Sequence, residues 1–303
     1  MRNLVAAALL AALGMTTVQA EEAMKHPKLL AAGLGLGAVI VEDGKVTTKY
    51  ATPGASQDAW RLADGSILAV GMKGVVRYDA DGKKTMEFKP EVKGRYEIHT
   101  CQPLPDGHVL VAVNGPGELV ELDAAGKVVK TIKVPGLSQN AHMQMRNVRR
   151  RPNGEFAIVA SDLEKVILLN ADGSPKREID VRKILADPLK THKLHGLVPL
   201  KNGHLLLGTG AGKCMVELDG NDRVVWSLSP EDVPELGLYY IAGMHRLPNG
   251  NTVVSAYRSQ YTLFEVTPEK KVLRKVPGKG LGTLTHVQVL DVQGDPAKGE
   301  LEK

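Results

Sequence analysis

Short apolar runs separated by glycine-containing turns recur along most of this chain. The stretch from His195 to Ser229, HGLVPLKNGHLLLGTGAGKCMVELDGNDRVVWSLS, shows the unit in full. An apolar run opened by a histidine meets an Asn-Gly turn. A second run, HLLLGTG, leads to a Gly-rich turn, a third, KCMVELD, to a Gly-Asn-Asp turn, and a fourth, RVVWSL, completes the unit. Runs of this length between turn residues predict four antiparallel strands in a meander.

The first turn marks the repetition: Asp64-Gly65, Asp106-Gly107, Asn153-Gly154, Asn202-Gly203 and Asn249-Gly250, with glycines 42, 47, 49 and 47 residues apart. A period of roughly 40–50 residues with four strands per repeat is the signature of a β-propeller. Each Asn-Gly or Asp-Gly is placed where a two-residue hairpin needs positive φ. Five full blades are expected, over 54–91, 96–134, 142–182, 190–229 and 238–276. Residues 27–51 align with strands two to four of a blade and lack a first strand. Near the other end, 283–291, centred on Leu284 to Leu290, supply a first strand with nothing after it. Joining the two gives a sixth blade and closes the ring, which removes its open sheet edges. The expected fold is therefore all-β: a six-bladed propeller of four-stranded antiparallel blades in one domain, 21–303. The polar tail 295–303 is expected to fray. Gly33-Leu-Gly-Leu-Gly37 has no helix after it, so it reads as a hairpin turn rather than a dinucleotide site.

Residues 1–20 read as a signal peptide, with Arg2, an apolar Leu4 to Leu13 and a small-residue cleavage site ending at Ala20. The apolar run is too short to span a bilayer, and no later stretch resembles a membrane helix. The mature chain is thus expected to be periplasmic or secreted. The net charge of +5 is mild, aromatics are 4% of residues, and no basic patch with interleaved aromatics marks a nucleic-acid surface. The one dense cluster, Arg149-Arg150-Arg151, reads as a solvated turn. Cys101 and Cys214 fall on blades too far apart to pair, so two buried free thiols are expected. Trp60 and Trp226 are read as packing between blades.

Candidate chemistry appears when the blades are superimposed. Eight residues before each turn glycine, early in the innermost strand, stand Gln57, His99, Arg146, His195, Ala242 and His286. The histidines occupy alternate blades, with Arg146 between two of them. His142 and His245 are expected to line the same channel, whereas His108 and His204 follow turn glycines and belong at the periphery. Two chemistries are open to such a ring. Three imidazoles, His99, His195 and His286, can hold a zinc or manganese ion with an open position. Without metal, a histidine can act as base or nucleophile while Arg146 binds an anionic group. The longest connections, 183–194 and 230–241, lie over one mouth and offer Lys190, His192, Tyr239 and Tyr240 as further ligand contacts. No Walker loop, HExxH or GxSxG motif in a suitable context is present. The expected function is an axial site for a small molecule or a glycan, with an enzyme acting on a small anionic substrate as the leading form and metal-assisted hydrolysis or elimination as its chemistry where an ion is held; the alternative is a non-catalytic propeller that binds a ligand, a glycan or a protein through its mouth loops.

The segments 99–132, 195–228 and 244–273 resemble the blades of bacterial arylsulfotransferase-like and PQQ-like propeller proteins, in which a His, a Leu-Pro-Asn-Gly turn, an apolar strand and a Val-Val-Glu-Asp-Gly-Lys-Val-Val-Trp run recur. The resemblance extends over nearly the whole mature chain. It implies sulfuryl transfer between phenols through a channel histidine among His99, His195 and His286, with Arg146 as anion clamp. Where that family often has Asp directly after a channel His, this chain has Thr100, Gly196 and Val287. Quinone-dependent relatives have Trp-rich blades and a paired-Cys element; two Trp and two distant Cys argue against PQQ as a cofactor here.

Overall fold

The structure, a computed structural model, describes residues 26–303; the expected signal peptide lies outside the described residues. Among the described residues, twenty-four strands form six four-stranded antiparallel sheets. Strands β4–β7 run from Ser56–Arg61 to Lys84–Phe88, β8–β11 from Glu97–Pro103 to Val128–Lys133, and β12–β15 from Asn147–Arg150 to Pro175–Asp180. Strands β16–β19 run from Gly196–Pro199 to Val224–Leu228, and β20–β23 from Ile241–Arg246 to Val272–Pro277. The sixth sheet joins β24 (Thr283–Val289) to β1 (Leu29–Leu34), β2 (Gly37–Glu42) and β3 (Lys45–Tyr50), in that order. The ring is thus a six-bladed β-propeller closed by N-terminal strands and one C-terminal strand, with Leu29 opposite Val289 and Ala32 opposite His286. No helix among the described residues is long and apolar enough to cross a membrane.

Six hydrophobic clusters hold the ring, one at each interface between neighbouring blades. Both tryptophans serve there. Trp60 is buried in the cluster that holds Val111 and Val113 of the next blade and donates its indole N–H to Cys101 O across the interface (2.8 Å); Trp226 lies against the next blade and donates to Pro268 O (2.7 Å). Cys101 and Cys214 are buried and free.

The turn that carries the repeat is longer than a two-residue hairpin. Leu62 N–H donates to Ser66 O (2.9 Å) and Gly65 N–H to Leu62 O (3.0 Å), which is a three-residue loop with a left-handed glycine (φ +84°). The turns at Gly154, Gly203 and Gly250 have the same hydrogen bonds. Positive φ is needed at the glycine alone in these four; Asp106 joins Gly107 only in the second blade. The preceding Asp or Asn is chosen for its side chain: Asp64, Asn153, Asn202 and Asn249 each accept from the backbone N–H two residues on (2.9–3.1 Å), the Asx-turn bond.

The tail does not fray. Residues Pro296–Lys298 form a short helical turn, Glu302 bridges Arg246, and the Lys303 side chain is fully buried beside the axis. Lys303 Nζ donates to Asp58 Oδ1 (3.0 Å) and Ala59 O (2.7 Å) and lies over the Trp60 ring (3.7 Å). Arg149, expected in a solvated turn, is 2% exposed. Its side chain follows the strand alternation inward, donating to Asp58 (3.2 Å), Thr100 Oγ1 (2.7 Å) and Lys303 O (2.8 Å). Burial raises the Asp58 carboxyl, but His286, which is charged only in the acid range where Asp58 itself titrates, and the permanent neighbours Lys303 and Arg149 outweigh it and hold the group well below the usual carboxylate range. Burial pushes Lys303 down to about 8 against the opposing pull of Asp58. This network occupies the end of the axis at which the first turns lie.

Candidate functional site

The other end of the axis, where the inner strands begin, carries the site. First strands of successive blades touch one another around the ring, so their early residues face the axis. A recurrent β-bulge sets which residues do so. In β4 the register shifts between Ser56 and Asp58, leaving Gln57 extra; in β8 it shifts between Ile98 and Cys101, around His99 and Thr100. Strand β20 shifts around Ala242, and β24 shifts next to His286. Arg146 and His195 stand just before their strands, their amides donating to Val159 O (3.1 Å) and Gly208 O (3.0 Å). Bulges re-aim a side chain without disturbing the rest of a strand, and here they turn one ring of residues toward the axis.

Arg146 is the centre of the arrangement. Its Nη2 donates to His195 Nε2 (3.2 Å), and its Nη1 to His142 O (3.3 Å), with His142 Nε2 at 3.5 Å. Nη1 also lies 3.0 Å from His99 Nδ1 and 3.3 Å from His99 Nε2. Near-equal distances to two nitrogens separated by a single carbon put Nη1 over the face of that imidazole, off both in-plane lone pairs. The guanidinium has no carboxylate partner among the described residues, and its buried Nε–H has no acceptor. Burial presses it below the usual arginine value, yet a guanidinium stays charged. The axis therefore holds a cation with no ion-pair partner among the described residues, Glu97 acting on it only from a distance.

His99, His195 and His286 are neutral. Burial, with the nearby Arg146 charge, takes His99 down to about 3 and His195 well below the usual histidine value. Burial also takes His286 down to about 4, against the pull of Asp58. Tautomers follow from the partners. His195 Nδ1 donates to Ala242 O (3.3 Å), leaving the Nε2 lone pair toward Arg146. His286 Nδ1 donates to Gln57 O (2.7 Å), so its Nε2 accepts from Asn147 Nδ2 (3.1 Å).

Glu97 was not singled out in the sequence. It lies two residues before His99, on the same face of β8, and an acidic residue and a histidine at that spacing on an inner strand are the signal. Its Oε2 is 3.0 Å from His99 Nε2 and 2.6 Å from His142 Nδ1, and its Oε1 accepts from Arg95 (3.0 Å). Burial pushes this carboxyl up, but the bonds from His99, His142 and Arg95 outweigh it and keep it ionised.

The structure thus brings Gln57, His99, His142, Arg146 and His195 together, with His286 6.1 Å from His195 between ring centroids. His99, His195 and His286 do not converge on one point: among the described residues, the donor atoms within 4.8 Å of one another are those of Glu97, His99 and His142. His245 is not in the site. It is fully buried between blades, its Nδ1 accepting from Val289 N–H (2.9 Å) and its Nε2 unpartnered. Of the mouth loops, Tyr240 reaches inward, edge-on to His195 (5.5 Å) and to Tyr257 (5.6 Å), with its hydroxyl on Lys193 O (3.0 Å). Tyr239 is exposed, Lys190 pairs with Asp187, and His192 stands 3.8 Å from Glu164, none bonded to Arg146. His108 and His204 are peripheral, bonded to Glu121 and Glu217.

No protein-family model matches the chain, and no curated protein matches it by sequence. Solved structures match its fold. A protein of unknown function from Bacteroides caccae superimposes with a TM-score of 0.75 at 20% identity, over 86% of this chain and 98% of that one. A streptogramin B lyase gives 0.58 at 10% identity, over 83% and 84%. A chain of a nidogen/laminin complex gives 0.64 at 11% identity, over 88% and 100%. These likenesses establish the propeller and leave the activity to the site.

Proposed function

We propose that this chain is an exported propeller that binds a small anionic ligand on its axis, with Arg146 as the clamp and His195 as the base or nucleophile. One observation carries the reading: a guanidinium held between the neutral imidazoles of His99 and His195, with a buried Nε–H lacking an acceptor and no carboxylate partner among the described residues. A ligand oxyanion supplies the missing charge and the missing acceptor, and charge-assisted bonds to guanidinium are strong. His195 is fixed by Ala242 O in the tautomer that offers Nε2 to whatever Arg146 holds, which is what a base or nucleophile requires. The blade resemblance makes a sulfuryl donor the first substrate class to try. A solved virginiamycin B lyase on the same fold, described as catalytically inactive when one histidine is changed to alanine, supports histidine chemistry on such a ring.

The test is thermal unfolding and calorimetry of the mature protein with sulfate, phosphate and 4-nitrophenyl sulfate. At about 100 times Kd a ligand adds about 2.7 kcal/mol of stability, and Arg146→Met should abolish that gain. Turnover of 4-nitrophenyl sulfate with a phenol acceptor should disappear in His195→Ala. If none of the three probes binds or reacts, the axial reading fails and a non-catalytic propeller acting through its mouth loops takes its place.

A further inference from the structure

We infer that Glu97, His99 and His142 form a divalent metal site at the rim of the axis, open toward the mouth and beside Arg146. The inference rests on the axial anion reading above and adds a cofactor to it.

Three features point there. The first is convergence from two blades. Glu97 and His99 come from β8, and His142 from the segment before β12, yet Glu97 Oε2 meets His99 Nε2 at 3.0 Å and His142 Nδ1 at 2.6 Å. Three donor atoms gathered this closely can all turn onto one ion.

The second is the surroundings of His99. Its Nδ1 lies 3.2 Å from Gln57 Oε1 and its Nε2 lies 3.0 Å from Glu97 Oε2, an oxygen acceptor at each nitrogen. A neutral imidazole carries one N–H, so either Nδ1–H donates to Gln57 Oε1 and the Nε2 lone pair faces the carboxylate, or Nε2–H donates to Glu97 and the Gln57 amide turns its N–H toward Nδ1. Arg146 lies over the ring face and so leaves both in-plane positions to these oxygens. A metal between His99 Nε2 and Glu97 Oε2 fits the first arrangement: Nδ1–H donates to Gln57, the outer contact that a metal-bound histidine ordinarily makes, and Nε2 and the carboxylate share the ion.

The third is access. Glu97 and His99 are buried, whereas the His142 side chain is 45% exposed. Three protein ligands with one open side are the arrangement of a site that leaves a position for water or substrate. Two imidazoles with one carboxylate favour a first-row transition ion over magnesium or calcium. An anion on the open position would lie within reach of Arg146, so that metal and guanidinium hold it from two sides.

The experiment uses the mature chain, stripped with chelator and titrated with zinc, and with cobalt as a visible-spectrum probe of nitrogen and oxygen ligation. The expected result is one ion per chain, with affinity at least tenfold lower in Glu97→Gln and in His142→Ala. The half-exposed His142 makes the second variant the safer one for folding, and circular dichroism checks both. His286→Ala should retain the wild-type affinity. Uptake equal in wild type and both variants, or no uptake, overturns the site. Sulfate or phosphate binding that persists without metal and depends on Arg146 would leave the axial anion reading standing alone. Metal uptake with no anion binding would do the reverse.

Discussion

The buried charge cluster beneath the ring makes a quantitative demand. Asp58 faces two cations, Arg149 and Lys303, with all three side chains almost wholly removed from solvent. Changing Asp58 to Asn removes the side-chain carboxylate that both cations share and weakens acceptors for Lys303 Nζ, Arg149 Nη2 and Thr100 Oγ1. Stranding a buried charge costs about 3–5 kcal/mol. Changing Lys303 to Met is a different perturbation. It removes the bonds to Asp58 and Ala59 O and the contact over Trp60, but it also removes an ammonium whose burial outweighs its pairing, as its fall to about 8 shows. Asp58 and Arg149 remain as a matched pair, so the net cost should be no more than about 1–2 kcal/mol, because an apolar side chain in place of a buried ion is often tolerated. Urea unfolding followed by tryptophan fluorescence measures both, since Trp60 lies against the cluster. The double variant should be less destabilised than the sum of the two, by about 0.5–3 kcal/mol. A Lys303→Met cost equal to that of Asp58→Asn, or an Asp58→Asn cost below about 1 kcal/mol, would refute the charge accounting.

Acid should destabilise the ring well before its carboxylates titrate. His245 and His286 are held at about 3 and about 4 by burial, so the unfolded chain binds their protons first, and stability falls as pH drops from about 6.5 toward those values. Each pH unit per group is about 1.4 kcal/mol; His245→Gln should flatten the melting curve between pH 7 and pH 5, and an unchanged slope would show that His245 does not contribute. Burial raises both thiols above the usual cysteine value, so a thiol reagent should label neither Cys101 nor Cys214 in the native state and both in urea; rapid native labelling of Cys101 would contradict the packing beneath the ring.

The ring was legible because one turn and one hydrophobic pattern repeat at a nearly constant period, and the half-blades at 27–51 and 283–291 complement each other. The axial residues were legible for a less obvious reason: in β4, β8 and β20 the bulge lies at the same distance from the turn glycine, and in the other blades the same offset falls at the start of the inner strand or beside the shift, so a fixed count followed the axis. What escaped was pairing between blades. Glu97 is marked in its own repeat only by its spacing from His99, and the rest of its meaning comes from His142, which reaches it from the next blade. Arg149 was hidden in a run of three arginines whose alternation sends one inward and leaves Arg150 half-exposed. Its partner Asp58 and the covering Lys303 are distant in sequence, and no local pattern reports them. The short Asx-turns were misread because the dipeptides Asn-Gly and Asp-Gly suit two loop lengths, and only the hydrogen bonds distinguish them.

The closure of the ring also determines how it would respond to force. Leu29 and Val289 stand opposite each other at one end of the β1–β24 pair, so tension on the flanking segments would peel that ladder from its end rather than shear it along its length. Peeling loads one rung at a time, and such a clasp opens at lower force than any pair pulled lengthwise. On the C-terminal side the first load falls elsewhere, because Lys303 and Glu302 are anchored on Asp58 and Arg246 in the blades on either side of the clasp. The tail acts as a strain relief, passing tension across the seam before the seam itself carries it.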